Sequence, residues 1–87
     1  MIIVSQNKKT FVNFDVVASI EMRKEIHIDF DNEKTEWWEI RAMCPAVSEQ
    51  NVLDIILGTF DEEEHCKKVF EILMHQIAEG NNRMVWI

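Results

Sequence analysis

The sequence predicts an α+β domain, in which an antiparallel β-meander of about six strands packs on one C-terminal amphipathic helix. Apolar residues recur at every second position in short runs before residue 60, which is typical of strands with one buried face. A stripe with helical spacing then fills 61–80. Because a meander cannot bury its apolar face alone, we expect the helix to cover it. A chain of 87 residues has room for one core, so 1–87 is expected to be a single domain.

The first strands are predicted from apolar runs that are separated by polar residues. Longer runs at 16–22 and 25–30 carry apolar residues at the even-numbered positions, which places those side chains on one face. Only Arg23 and Lys24 separate these two runs, so a tight hairpin turn is expected there. Shorter strands are predicted at 2–4 and 10–14. The side chains expected to face inward are Val16, Ala18, Ile20, Met22, Ile26, Ile28 and Phe30.

A long strand is predicted over 35–43, in the middle of the meander. It follows a turn at 31–34, whose short polar side chains can bond their own backbone. Pro45 lacks an N–H donor and is expected to end the strand, which makes 44–51 a loop. One helical turn over 46–50 is the alternative for part of that loop.

The helix has the clearest pattern in the chain. A strand is predicted at 52–57, and Gly58 is expected to break it. Asp61 can then cap the helix, and Glu64 three residues later completes a capping box. Gly80 supplies the left-handed residue that ends it. The apolar stripe consists of Cys66, Val69, Phe70, Leu73, Met74 and Ile77.

Charge and composition restrict the partners and the location. Sixteen acidic residues against nine basic ones give a net charge of −7, which repels nucleic-acid backbones and anionic lipid surfaces. The first residues lack the pattern of a secretory signal, and no apolar run is long enough to span a membrane. We therefore expect a cytoplasmic protein. In a reducing compartment Cys44 and Cys66 are expected to be buried thiols and not a disulfide.

No constellation of residues predicts catalysis or metal binding. His65 and His75 would lie about 15 Å apart on the helix, too far to share an ion. Neither cysteine lies in a glycine-rich turn, and two glycines cannot build a phosphate-binding loop. The expectation is a protein without catalytic residues, cofactor or metal.

The tryptophans suggest a contact surface. Trp37 and Trp38 are neighbours on a predicted strand, so their side chains must point to opposite faces, and we expect Trp37 to be the exposed one. Two interpretations stay open for it: the apolar tail 81–87 folds back over it, or it contacts another chain. Val17 and Ile56 also fall on the outward side of their predicted strands. The candidate interface residues are Trp37, Val17, Ile56 and Trp86.

Several stretches resemble a group of small proteins. MIIVSQ at 1–6 and VNFD at 12–15, together with LGTF at 57–60 and CKKVF at 66–70, are similar to small uncharacterised proteins of low-GC Gram-positive bacteria and their prophages. The resemblance implies a compact strand-plus-helix domain and a link to mobile elements. The order of strands and helix is also similar to pleckstrin-homology-like domains, and a partly closed barrel plugged by the helix is the alternative to an open meander.

These observations predict a non-enzymatic protein-interaction module that is phage- or mobile-element-associated and forms a homo-oligomer or binds a protein partner. The alternative is an acidic inhibitor that occupies the nucleic-acid site of a host enzyme. The third and weakest hypothesis is a small hydrolase that uses Cys44 or Cys66.

Overall fold

The α+β class is confirmed by a computed structural model, which describes residues 1–45, 52–81 and 83–87. The described residues form six strands, one short 3-10 turn at Phe14–Val16 and one α-helix. The elements in chain order are β1 (Ile2–Val4), β2 (Phe11–Asn13), β3 (Ser19–Ile28), β4 (Lys34–Pro45), β5 (Val52–Phe60), α1 (Glu63–Glu79) and β6 (Met84–Trp86).

The strands form two three-stranded sheets. The large sheet has the order β3-β4-β5 and is the predicted antiparallel meander. The small sheet has the order β2-β1-β6, with β1 antiparallel to β2 and parallel to β6. The described strands do not close into a barrel, so a partly closed barrel is not the architecture of this part of the chain. The apolar tail, whose docking the sequence left open, pairs with β1.

The predicted turn at Arg23 and Lys24 is wrong, because both residues lie inside β3. The chain reverses later, around Asp29. The Oδ1 atom of Asp29 accepts hydrogen bonds from the backbone N–H groups of Asp31 and Glu33, at 2.9 and 3.0 Å. Asn32 adopts a left-handed φ of 61°, which asparagine tolerates better than most residues. The predicted polar turn at 31–34 is therefore part of the actual hairpin.

The start of β3 also differs from the prediction. Residues 14–16 form the 3-10 turn, because the Asn13 side chain accepts a hydrogen bond from the Asp15 N–H and holds the chain out of the sheet. Val16 is exposed as a result, whereas Val17 is half-buried against the core. The expectation that Val16 faces inward and Val17 outward is thus wrong.

Gly58 does not break β5, which continues through it to Phe60. The register shifts beside Ile40, so that Leu57 has no partner on β4 and its side chain is buried. A Cβ atom at Gly58 would lie 3.0 Å from the Phe60 ring. Glycine is favoured here by this close approach of the Phe60 ring, and not by a turn.

The predicted loop at 44–51 is partly replaced by strand, since β4 continues to Pro45. Residues 46–51 lie outside the described residues, so the alternative helical turn at 46–50 is not tested.

The helix has the predicted stripe and end but a different beginning. Gly80 has a φ of 70° and its N–H bonds the Gln76 carbonyl, which confirms the left-handed cap. The cap at the other end is Glu62, which makes no side-chain hydrogen bond, so the predicted Asp61 cap and its capping box with Glu64 are wrong. The apolar stripe is confirmed, with Cys66 and Leu73 buried and the other members packed against the core.

One core joins the two sheets and the helix. Its buried members are Ile3, Val12 and Val85 from the small sheet, Ile40, Ala42, Cys44, Leu57 and Phe60 from the large sheet, and Cys66 and Leu73 from α1. The two sheets are linked by the turn after β1, where the Gln6 N–H bonds the Leu57 carbonyl at 2.7 Å. Among the described residues, no helix has the length and apolarity needed to cross a bilayer.

Candidate interaction surface

The small sheet has an apolar outer surface as well as an apolar inner one. Side chains alternate along its strands, so that Ile3 faces the core while its neighbours Ile2 and Val4 face away. The same alternation applies to β2 and β6 around Val12 and Val85. We call the outward set the apolar face; it consists of Ile2, Val4, Phe11, Asn13, Met84 and Trp86.

The register places two aromatic side chains at the edges of the apolar face. Val4 pairs with Phe11 on one side and with Trp86 on the other, so the three form one row across the sheet. Val4 is completely buried between its neighbours, whereas Phe11 is 62% exposed and Trp86 is 55% exposed. Met84, in the adjacent row, is also exposed. Large apolar side chains therefore cluster where nothing in the described chain covers them.

The apolar face is free of charge, although the chain carries −7. None of its six members is ionisable, and the exposed charges near the ends of its strands are mainly basic. Lys8 and Lys9 lie in the turn between β1 and β2, and Arg83 directly precedes β6. Asp15 follows β2 as the acidic exception. The surroundings of this face therefore differ from the acidic remainder of the molecule.

The outer face of the large sheet is covered by charged side chains. Arg41 lies at its centre and donates through Nε to Glu39 at 2.8 Å and through Nη1 to Asp54 at 2.7 Å. Its Nη2 atom also reaches Glu25 at 3.4 Å. Glu39 is only 4% exposed, because Arg41 and the Trp37 ring flank it on the strand. Ion pairs within the chain therefore occupy the centre of this face.

The ion pairs on this sheet stabilise the charged forms of Arg41 and Glu36. The hydrogen bonds from Arg41 to Glu39 and then to Asp54 raise the pKa of the Arg41 guanidinium above its usual value. At the hairpin end of the sheet, the hydrogen bond from Lys34 lowers the pKa of the Glu36 carboxyl. Neither group is shifted towards neutral pH, so the cluster has a structural character.

The four residues predicted to form an interface do not lie together. Trp37 points away from the core as expected, while Trp38 packs against it, but Trp37 is half-buried and its Nε1–H donates to Glu39 at 3.1 Å. Ile56 is exposed on the same charged face, opposite Arg41. Val17 packs against the core. Trp86 alone belongs to the apolar face.

The sequence reasoning missed Phe11 and Met84. Both lie in short strands in which the central residue, Val12 or Val85, is the buried one. Alternation over three residues already placed Phe11 and Met84 on the side opposite those valines. The missing information was that β1, β2 and β6 form one sheet, which brings their outward residues together.

Groups with catalytic potential are dispersed in the structure. Burial raises the pKa of the Cys66 thiol, which disfavours the thiolate that a nucleophile needs. A surface depression of about 490 Å³ is lined by His65, but that ring stacks edge-on against Phe60. Within the described ranges, no three His, Cys, Asp or Glu side chains are grouped to hold a metal ion.

The described residues define a small α+β domain with two sheets, one helix and an apolar face that none of them covers. Comparison with protein-family models, with curated proteins and with solved structures finds no match to this chain.

Proposed function

We propose that the protein is a non-enzymatic, self-associating protein-interaction module that docks on a partner chain through the apolar face. The observation that carries this proposal is the row of Phe11, Val4 and Trp86, in which a buried valine lies between two exposed aromatic side chains. Tryptophan is one of the residue types enriched among those that dominate the binding energy of interfaces. A cytoplasmic location and an origin in phages or mobile elements belong to the same proposal.

Phe11 and Trp86 flank the buried Val4, but the fold leaves most of their own surface unused. The core residues of the small sheet lie on its other face, and water contacts more than half of the Phe11 and Trp86 surfaces. Removing apolar surface from water contributes about 25 cal/mol per Å². Covering two such aromatic side chains therefore stabilises a complex substantially, whereas their exposure contributes little to the isolated chain.

The chemistry around the apolar face indicates what the partner presents. Lys8 and Lys9 lie at one end of the small sheet and Arg83 lies at the other. A partner with an apolar strip flanked by acidic groups matches both features, because opposite charges at the rim favour encounter. Nucleic acid lacks the apolar strip and is repelled by the remaining surface.

The alternative, an acidic inhibitor that mimics nucleic acid, is supported by the net charge of −7 and by the exposed acids at 61–64. The carboxylates of the large sheet give it less support, since Glu25, Glu39 and Asp54 are paired with Arg41. A mimic depends on free anionic groups at phosphate-like spacing. We therefore favour docking through the apolar face.

The test is a capture experiment with matched variants. Immobilised wild type, the double variant Phe11→Ser/Trp86→Ser and the control Ile72→Ser are exposed to the same lysate of the native host. Ile72 is a 58% exposed apolar residue on α1, so its replacement removes a similar kind of surface at another place. Circular dichroism of all three proteins establishes that they are folded.

The proposal predicts a protein that is captured by wild type and by Ile72→Ser and is lost with the double variant. Its capture should persist at roughly 1 M salt, where charge attraction is screened within about 3 Å. A protein captured equally by all three chains would contradict docking through the apolar face. A nucleic-acid enzyme captured by all three and released by salt would instead support the inhibitor.

A further inference from the structure

Strand β3 is a long strand with one unpaired edge. It pairs with β4 along Ser19–Ile28, and no described element pairs with its other side. The Asp29 N–H donates a hydrogen bond to the Glu33 carbonyl at 3.0 Å. This bond shows which residues of β3 direct their backbone groups towards β4 and which direct them away from it. Counting back from Asp29, the odd-numbered residues bond β4, and the even-numbered residues direct their backbone N–H and C=O groups to the open edge.

The same strand exposes apolar side chains that the sequence pattern predicted to be buried. Ile26 is 50% exposed, Ile28 is 62% exposed, and Phe30 beyond them is fully exposed. They follow Ile20 and Met22 on the helix side of the sheet, but only Ile20 and Met22 reach the core. One protomer therefore leaves the second half of the apolar row on β3 uncovered.

We propose that two copies of the chain pair through their β3 edges, antiparallel, with Lys24 on the two-fold axis. This proposal rests on the self-association in the proposed function. It adds which strand forms the contact, how the two strands are oriented and which residues face each other. An axis perpendicular to the sheet joins the two large sheets into one and keeps both helices on the same side. Residues of equal parity then face each other, as the exposed backbone groups of the even-numbered residues require.

Charge selects the register. Two registers pair almost the whole strand, and they differ in whether Arg23 or Lys24 lies on the axis. With Arg23 on the axis, Glu21 faces the partner's Glu25 twice, and such like-charge pairs are destabilising. With Lys24 on the axis, Arg23 faces the partner's Glu25 and Glu21 faces the partner's His27. The second register therefore replaces the two Glu21–Glu25 contacts by two Arg23–Glu25 contacts of opposite charge, in addition to the contacts of Arg23 with Asp54 and of Glu25 with Arg41 in the same chain.

The central pair of lysines is tolerated because each Lys24 has partners in its own chain. Its Nζ atom lies 3.4 Å from a Glu36 carboxylate oxygen and 5.7 Å from the centre of the Trp38 ring. These contacts hold the ammonium group towards β4 and away from the axis. The repulsion between the two copies is reduced accordingly.

The Lys24-centred register also covers the exposed isoleucines. It places Met22 opposite the partner's Ile26 and Ile20 opposite the partner's Ile28. Directly opposed side chains have Cβ atoms about 4.5–5.5 Å apart, so each exposed isoleucine contacts a residue that is already packed on the core. Ile26 and Ile28, which the sequence pattern predicts to face inward, are then covered in the dimer.

The test is disulfide trapping with single cysteines in the full-length chain. Lys24→Cys places two thiols on the axis, with Cα atoms about 5.5 Å apart, which suits a disulfide. Ile26→Cys is the control on the same face and edge, and the Cα atoms of its two copies would be about 14 Å apart. The native thiols of Cys44 and Cys66 are buried, so wild type reports the background.

The inference predicts that Lys24→Cys forms a covalent dimer on the order of tenfold faster than Ile26→Cys under mild oxidation. Light scattering of wild type distinguishes the two ways in which it can fail. Equal trapping of both variants, in a protein that weighs twice the 10.3 kDa protomer, would overturn the register and leave self-association standing. A wild type that remains at 10.3 kDa at every concentration would overturn both, whereas docking through the apolar face has its own test.

Discussion

Glu39 shows how one residue closes the outer face of the large sheet. It lies on the side of β4 that faces away from the helix, where a carboxylate would normally be hydrated. Trp37 and Arg41, two positions before and after it, flank it on the same face, and both donate hydrogen bonds to its oxygens. The carboxylate is thereby removed from water while both of its oxygens accept hydrogen bonds, which is the condition for burying a charge.

Replacing Glu39 by alanine should therefore destabilise the fold. The change leaves the Trp37 N–H without its acceptor and removes the main partner of Arg41, so we expect a loss of about 1–3 kcal/mol in the free energy of unfolding. Urea titration monitored by tryptophan fluorescence measures it. The control is Glu36→Ala, which breaks solvent-exposed ion pairs with Lys24 and Lys34 and should change the stability much less. Equal losses for the two variants would show that Glu39 has no special role.

For a single residue, the sequence predicts which face of the strand its side chain lies on, but not which side chains from other strands contact it. Alternation correctly placed Trp37 on one side of the strand and Trp38 on the other. It could not show that Arg41 and Asp54 would cover Glu39, because Asp54 belongs to another strand and its position depends on the register. The sequence therefore predicted Trp37 to be an exposed interface residue, whereas in the folded chain it is half-buried beside the Glu39 carboxylate.

The ends of the elements follow from local chemistry, and this is where the sequence predictions were both best and worst. Gly80 ends α1 because only a residue tolerant of positive φ fits there. The turn predicted at Arg23 and Lys24 is wrong because neither residue favours a tight turn, and Asp29 offers a better one through its side chain. Gly58 was misjudged because its reason for being glycine, contact with the Phe60 ring, is tertiary.

Gly80→Ala should lower the melting temperature through backbone strain alone. An alanine Cβ at this position would contact nothing within 4 Å, but the φ of 70° costs an L-residue about 1 kcal/mol. For a domain of this size, we expect a decrease of about 4–8 °C in calorimetry. Gly80→Asn is the matched control, since asparagine accepts left-handed backbone, and it should lose less. An alanine variant as stable as wild type would show that the helix end is not held in this conformation.

The whole molecule depends on pairings between distant parts of the chain. The α+β class, the central meander and the helix face were predictable, because each follows from periodicity within one segment. The division into two sheets was not, since β6 joins β1 in parallel across nearly the full length of the chain. That single pairing creates the apolar face, which is why the candidate surface was found from the structure and not from the sequence.

Two features of the protomer remain unsatisfied at the scale of the whole molecule. The apolar face exposes Phe11 and Trp86, and the open edge of β3 exposes Ile26 and Ile28. The open backbone groups of an edge strand are a place where a second chain can pair. Both features are explained if this protein acts through contacts with other chains. That is our central claim.

The molar mass of wild type as a function of concentration tests that claim most directly. Multi-angle light scattering is performed from low to high micromolar protein, in roughly 0.1 M and 1 M salt. We expect the mass to rise from 10.3 kDa towards twice that value, and to be maintained at high salt, because screening reduces the repulsion between two chains of charge −7. A mass of 10.3 kDa under all conditions would contradict self-association.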